Sequence, residues 1–183
     1  MSRPAAERCL TDEELHRFME SVRIRRHVNQ PRDHAFFAIL ANTGLRPSEV
    51  LALTRADVHL GASPPWIRVK RMKKGAIDEL CVPEGVVVPL RTYLQTAPAG
   101  LLFPFHRRMA QRKFVFYARH AGVDGHRLYD LRHTAATRLH RLTKDIGLVQ
   151  RLLGHANPDT TAIYIHIGRA QQKEAVERMG AVT

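Results

Sequence analysis

Cysteine is scarce in this chain. Only two of its 183 residues are cysteines, Cys9 and Cys81, and they form no Cys-x-x-Cys pair. Two cysteines are too few for a disulfide framework, and their spacing matches no zinc or redox motif. We therefore expect a reducing, cytosolic compartment.

Long hydrophobic runs are also missing. No apolar stretch approaches the roughly 18–20 residues that a membrane-spanning helix needs, and Met1–Glu7 has no apolar core of the kind that a secretory signal carries. The eleven histidines form no His-Glu-x-x-His pattern and no cluster with cysteine. We expect no membrane association and no metal.

Acidic residues are few compared with basic ones. Seventeen Asp and Glu face 29 Lys and Arg, which gives a formal net charge of +12 and a pI near 10.6. Such an excess favours a polyanionic partner, nucleic acid first and an anionic membrane surface second. A basic protein of ribosomal type has the same balance, so charge indicates the class of partner and not the activity.

The local patterns predict a mainly α-helical domain. Thr11 and Glu14 form a capping-box pattern at the start of a first helix. A buried helix over 35–43 is expected to end at Gly44, which suits a left-handed cap, and Pro47 suits the first turn of the next helix. Further helices are predicted over 86–94, 108–121, 130–142 and 146–153, with Phe114 and Tyr117 in the core.

A small antiparallel β-hairpin or sheet is predicted between these helices. Trp66–Lys70 alternates apolar and basic residues, as a half-buried strand does. Lys73-Lys74-Gly75 suits a hairpin turn, and residues 78–83 suit the returning strand. The expected fold class is α+β, in one domain.

Four residues suggest chemistry on a phosphodiester. They are Arg46, Arg132, His155 and Tyr164, in this order along the chain. Arginine guanidinium groups bind the non-bridging phosphate oxygens, an imidazole stabilises charge or transfers protons, and a tyrosine accepts the phosphoryl group covalently. This chemistry needs no cofactor.

Three segments around these residues resemble the conserved boxes of the tyrosine recombinases, the phage-integrase group. They are Thr43–Glu49, Tyr129–Arg138 and Leu153–Tyr164. One such motif is weak evidence, since Gly-Leu-Arg occurs by chance, but three in the right order on a basic chain are specific. The resemblance runs from about residue 10 to about residue 166 and implies the catalytic-domain fold of that family.

The resemblance also implies roles for individual residues. Arg46 and Arg132 match the two catalytic arginines, His155 the phosphate-binding histidine of the third box, and Tyr164 the nucleophile of a 3′-phosphotyrosyl intermediate. The acid that protonates the leaving 5′-oxygen is a hairpin lysine in this family, and Lys73 aligns best, with Lys74 and Lys70 as alternatives.

Arg46 is expected on an exposed turn facing outward, where Glu49 could hold its guanidinium. The alternative for this pair is an ordinary surface ion pair, which contributes about 0–1 kcal/mol.

Tyr129 departs from the family pattern, which has histidine three residues before the second arginine. A phenol, with a pKa near 10, is a poorer proton acceptor at neutral pH than an imidazole. It can still donate a hydrogen bond to the phosphate or position the nucleophile. The exchange of histidine for tyrosine is either tolerated or lowers activity. His126 could substitute for the missing histidine. Tyr129 could also be a half-buried aromatic at a helix start.

Basic side chains outside the motifs are expected to contact DNA phosphates, so binding should weaken steeply with salt. The predicted contacts are Lys70, Arg71, Lys74, Arg107, Arg108, Arg112 and Lys113.

The chain is expected to divide into a tail over 1–9, the catalytic domain over 10–168 and a helical tail over 169–183. The resemblance implies that the last segment docks on a neighbouring subunit, which gives a dimer or tetramer on a specific site in double-stranded DNA. It also implies a cytoplasmic, nucleoid-associated enzyme that integrates, excises or inverts a DNA element.

Two alternatives remain: a DNA-binding regulator with weak or no catalysis, favoured by Tyr129, and a topoisomerase-like enzyme that relaxes DNA.

Overall fold

The structure, a computed structural model, describes residues 9–25, 27–71, 76–153 and Glu177. Over this part of the chain the elements run in the order α1 (Asp12–Ile24), α2 (Gln30–Thr43), α3 (Pro47–Leu51), β1 (Val58–His59), β2 (Trp66–Lys70), β3 (Ile77–Cys81), α4 (Glu84–Leu94), α5 (Arg107–His120), α6 (Asp130–Thr143) and α7 (Ile146–Leu152). The predicted fold class, mainly α with a small antiparallel sheet, is confirmed. No helix in the described ranges is long and apolar enough to cross a membrane.

The first helix begins as its sequence predicts. The Thr11 hydroxyl accepts a hydrogen bond from the Glu14 backbone N–H at 3.2 Å, and the Glu14 carboxylate accepts one from the Thr11 backbone N–H at 2.7 Å. The backbone hydrogen bond from Thr11 is the main reason why the pKa of Glu14 lies below its ordinary value. This capping box fixes the point at which the chain enters the domain core.

Helix α2 is the central element of the described domain. Every residue over 35–41 is fully buried, and the helix packs against α1, α4 and α6. The Phe37 ring centroid lies 5.2 Å from those of Phe18 on α1 and Phe36 beside it, in edge-to-face geometry. Because neighbours surround this helix, its C-terminal end is held firmly in place.

The turn after α2 has the conformation that glycine permits. Gly44 has a φ of 64° and caps the helix in the left-handed region, and Pro47 opens α3, so both predictions are confirmed. Arg46 is the residue that caps the N-terminus of α3. The turn therefore places Arg46 at a rigid junction between two helices.

The sheet is antiparallel in the order β1-β2-β3. Ile67 and Val69 of β2 are fully buried, whereas Arg68 and Lys70 are exposed, as the predicted alternation requires. Strand β1 was not predicted, because its two residues are too few to show an alternating pattern in the sequence. Arg71 continues the inward phase of Ile67 and Val69 and is itself buried.

The predicted bounds of the later helices are accurate to within two residues at each end. Helix α4 begins at Glu84 and not at 86, and α5 covers Arg107–His120 and not 108–121. Phe114 and Tyr117 lie in the core, as predicted.

Candidate active site

Arg46 and Glu49 form a buried ion pair at the start of α3. The Arg46 Nη1 donates to Glu49 Oε1 at 2.9 Å, and the Arg46 backbone N–H donates to Oε2 at 2.8 Å. The Arg46 side chain is only 16% exposed and that of Glu49 is fully buried. The expectation of an outward-facing arginine was therefore wrong, because the carboxylate one turn into the helix draws the guanidinium back against the protein.

Arg132 connects the ends of two helices to α6. Its Nη1 donates to the Gly44 carbonyl at 2.6 Å, and its Nη2 donates to the Leu153 carbonyl at 2.8 Å. Both acceptors follow helix C-termini, where a cation is favoured by the helix dipole and by carbonyls that have no helical partner. The side chain is 3% exposed, so it is no ordinary solvated helix arginine.

Arg71 joins the same cluster, although the sequence suggested an exposed position for it as a DNA contact. The side chain is 4% exposed and its guanidinium lies against Glu49, Asp78 and the Leu152 carbonyl. The alternation of the strand explains this burial, because Arg71 follows β2 on the face of Ile67 and Val69 and not on that of Lys70. The alternation of inward and outward residues along β2 could be read from the sequence. The basic residues around Arg71 nevertheless favoured the prediction of an exposed position.

The three guanidinium groups give the cluster an excess of positive charge. Burial lowers the pKa of Arg132 from its ordinary value; nearby Tyr129 and Glu49 raise it, while Arg46 and Arg71 lower it. Glu49, the buried carboxylate of the cluster, serves both Arg46 and Arg71. A bound anion would relieve this imbalance, and a phosphate fits the fork geometry of arginine.

Tyr129 lies beside this cluster at the start of α6. The residue is 38% exposed and its phenol influences Arg132 electrostatically. Its ring centroid lies 5.4 Å from that of His133, in edge-to-face geometry. The position is suitable for a group that donates a hydrogen bond to a ligand held by Arg132.

His126, the sequence alternative to Tyr129, has a different environment. Its Nε2 lies 3.9 Å from Glu14 Oε1, its Nδ1 lies 3.8 Å from Asp130 Oδ2, and its side chain is 6% exposed. These contacts place it at the junction between α1 and α6. The structure therefore favours Tyr129 over His126 as the group near Arg132.

Four predicted site residues lie outside the described ranges. They are Lys73, Lys74, His155 and Tyr164. Their chain neighbours are nevertheless part of the cluster, since Arg71 precedes Lys73 by two residues and Leu153 precedes His155 by two. Their roles stay predictions.

The predicted DNA contacts divide into two groups. Lys70 on β2 and Arg107, Arg108 and Arg112 on α5 are exposed. Lys113 is less available for a DNA phosphate, because its Nζ donates a hydrogen bond to the fully buried Asp33 carboxylate at 2.7 Å. Arg32 and Tyr117 also bind that carboxylate, so Lys113 belongs to an ion cluster between α2 and α5 that charge alone did not reveal.

Comparison with known proteins identifies the family of this chain. Residues 8–171 match the family model described as the phage integrase family. The chain belongs to this family. The predicted resemblance is thereby confirmed, and the match includes all three arginines of the cluster.

Curated relatives are longer than the part that this chain matches. It is 32% identical over 159 residues to a tyrosine recombinase of Thermosipho africanus, covering 82% of the chain and 55% of that protein. It is 31% identical over 180 residues to tyrosine recombinase XerA of Pyrococcus furiosus, covering 92% of the chain and 60% of that protein. The chain thus spans little more than half the length of these relatives.

A solved structure has the same fold. XerH site-specific recombinase bound to its difH substrate in a pre-cleavage complex superimposes with a TM-score of 0.72 at 26% identity. The superposition covers 92% of this chain and 53% of the XerH chain. The described domain therefore has the fold of a tyrosine recombinase catalytic domain.

Replacing Gly44 with alanine is expected to disturb this site. The φ of 64° is costly for alanine, by about 1–2 kcal/mol, and the new Cβ would lie 3.0 Å from Leu153 Cδ2. Since Arg132 bridges the carbonyls of these same two residues, any DNA strand cleavage at this site should fall about tenfold as well. Urea unfolding and a single-turnover cleavage assay measure the two effects.

Gly122 supplies a matched control. Its φ of 63° is nearly the same, but a Cβ there would meet no atom within 4 Å. Gly122→Ala should reproduce the backbone strain and leave cleavage unchanged. Equal cleavage by the two variants would show that the contact between Gly44 and Leu153 has no part in the site.

Proposed function

We propose that this domain cleaves and rejoins DNA strands through a 3′-phosphotyrosyl intermediate, as the catalytic part of a site-specific recombinase. The observation that carries the proposal is the buried cluster of Arg46, Arg71 and Arg132 around Glu49. Two of these arginines match catalytic positions of the family. An excess of fixed positive charge in a largely buried site is what a phosphorane-like transition state requires.

In the proposed reaction the phenolic oxygen of Tyr164 attacks the scissile phosphorus. The bond from phosphorus to the 5′-oxygen breaks, Lys73 gives that oxygen a proton, and the phenol proton passes to a base at the site or to water. Arg46, Arg132 and His155 hold the non-bridging oxygens. Since the covalent link conserves the phosphodiester energy, the reverse reaction rejoins the strands without ATP.

Tyr129 would act as a hydrogen-bond donor in this scheme. A phenol can donate a hydrogen bond to an oxygen but is a poorer proton acceptor than an imidazole, so it suits binding of the phosphate better than proton acceptance. Its proximity to Arg132 supports this role.

The proposed partner is double-stranded DNA with a specific recombination site. Exposed Lys70, Arg107, Arg108 and Arg112 would contact its phosphates, and Lys74 joins them in the proposal. We also propose assembly into a dimer or tetramer through residues 169–183. Such an enzyme would act in the cytoplasm, associated with the nucleoid. XerH, the structural relative, was captured on its difH substrate.

The experiment uses duplexes nicked next to the scissile bond, so that cleavage releases a short fragment and traps the adduct. Because the target site is unknown, a pool with randomised sequence around the nick is incubated with the protein in EDTA, and DNA in denaturation-resistant adducts is sequenced. We expect an enriched site and an adduct that Tyr164→Phe abolishes. An adduct that persists in this variant would contradict the proposed nucleophile.

A second candidate function is a DNA-binding regulator with little catalysis, favoured by Tyr129 in place of histidine. Specific binding of a duplex that never becomes covalently attached would support it. Replacement of Tyr129 by histidine separates the two candidates further. A partly impaired recombinase should cleave faster with Tyr129→His, whereas a regulator should remain inactive.

A further inference from the structure

Arg71 lies where three elements of the candidate site meet. It directly follows β2, and its backbone N–H donates to the Ala76 carbonyl at 2.7 Å, which extends the pairing of β2 and β3 by one bond. The side chain turns inward and is 4% exposed. A buried arginine in this place requires partners from the protein itself.

Each nitrogen of the guanidinium faces a different element. Nε donates to Asp78 Oδ2 on β3 at 2.6 Å, and Nη2 donates to the Leu152 carbonyl at the end of α7 at 3.1 Å. Nη1 lies 3.6 Å from Glu49 Oε2 on α3, within ion-pair distance. Arginine is the side chain whose rigid fork can hold three such groups at once.

The contact with Glu49 links Arg71 to Arg46. Glu49 uses Oε1 for the Arg46 guanidinium and Oε2 for the Arg46 backbone, and Arg71 approaches the same Oε2. The contact with Leu152 lies one residue before the Leu153 carbonyl that Arg132 binds. Arg71 therefore touches the supports of both catalytic arginines.

From these contacts we propose that Arg71 is a positioning residue, which fixes Arg46 through Glu49 and fixes the end of α7 relative to the sheet, and that it does not contact DNA. The inference rests on the proposed function, since it concerns the same reaction. It differs from what charge suggested, because the Arg71 side chain is buried among Glu49, Asp78 and the Leu152 carbonyl and is not exposed as Lys70 is.

The test compares Arg71→Met with Lys70→Met, its exposed neighbour on β2, and with Arg91→Met, an exposed arginine on α4, as a control. For each full-length variant we would measure single-turnover cleavage of the nicked duplex at saturating DNA, and the dissociation constant at several salt concentrations. We expect Arg71→Met to cleave about 10–100-fold more slowly, with a dissociation constant within about threefold of wild type and an unchanged salt slope. Lys70→Met should lower that slope by about 0.9, the value for one phosphate contact.

Two further variants keep the test decisive if Arg71→Met folds poorly. Asp78→Asn removes one anchor of Arg71 and should slow cleavage about 3–10-fold with the salt slope unchanged. Arg71→Lys keeps the charge, but a compact ammonium lacks the planar fork that reaches these three separated groups, so we expect it to restore cleavage only in part. Full restoration by lysine would overturn the positioning role in favour of charge alone.

The remaining outcomes separate the two hypotheses. If Arg71→Met lowers the salt slope by about 0.9 while cleavage at saturation stays normal, Arg71 is a phosphate contact and the inference is wrong. Cleavage by Arg71→Met at the rate of Arg91→Met also overturns it. If the wild-type protein itself forms no adduct, the proposed function fails, and the inference fails with it.

Discussion

Replacing Arg132 with methionine is expected to lower DNA strand cleavage by about 10²–10³-fold and to destabilise the fold by about 2–4 kcal/mol. The loss in rate follows because this guanidinium belongs to the fixed positive charge that would meet the developing charge on the phosphate. The loss in stability follows because the Gly44 and Leu153 carbonyls lose their donor. Single-turnover cleavage and urea unfolding measure the two losses separately.

Arg141 on the same helix is the control for Arg132. Its side chain is 55% exposed and pairs with Asp12 at the surface, so Arg141→Met should change neither quantity by much. If Arg132→Met cleaves within about threefold of wild type at a temperature where it is folded, Arg132 is not part of the reacting site. A loss of stability without a loss of rate would leave it a purely structural residue.

Replacing Glu49 with glutamine is the second change with a large expected effect. The carboxylate is fully buried and pairs with both Arg46 and Arg71, so its neutral replacement removes the counter-charge of Arg46 and one of the two carboxylates at Arg71. Breaking a buried ion pair in this way costs about 3–5 kcal/mol. We expect the free energy of unfolding to fall by that amount, and cleavage by the folded fraction to fall about tenfold or more as Arg46 loses its orientation.

The chain contains a matched pair with the same spacing. Glu20 and Arg23 on α1 are also three residues apart and form an ion pair, but their side chains are 38% and 60% exposed. Glu20→Gln should therefore have a far smaller effect on unfolding than Glu49→Gln. Equal effects for the two variants would mean that burial of the site pair adds nothing to stability.

Local rules were sufficient for most of the fold. The Thr11–Glu14 capping box, the left-handed Gly44 and the first-turn Pro47 each depend on a few neighbouring residues, and the structure has all three. The alternation in β2 likewise depends only on the two faces of a strand. The two-residue strand β1 could not be predicted, because pairing with β2 alone defines it.

Two arginines of the cluster and Glu49 were predictable from the sequence, but the place of Arg71 and the contacts of the cluster were not. Motif positions identified Arg46 and Arg132, and spacing along a helix suggested Glu49. The acceptors of Arg132 are carbonyls 88 and 21 residues away along the chain, so only the packing of α2, α6 and α7 brings them together. The same holds for Lys113, whose ion pair with Asp33 depends on the contact between α2 and α5.

The proposed reaction is tested most directly by identifying the amino acid that becomes joined to DNA. The trapped adduct is digested with protease and nuclease, and the modified peptide is sequenced by mass spectrometry. We predict a 3′-phosphate ester on Tyr164. Attachment through Tyr129, which lies beside Arg132 and is 38% exposed, or a link to the 5′ end of the broken strand, would contradict it.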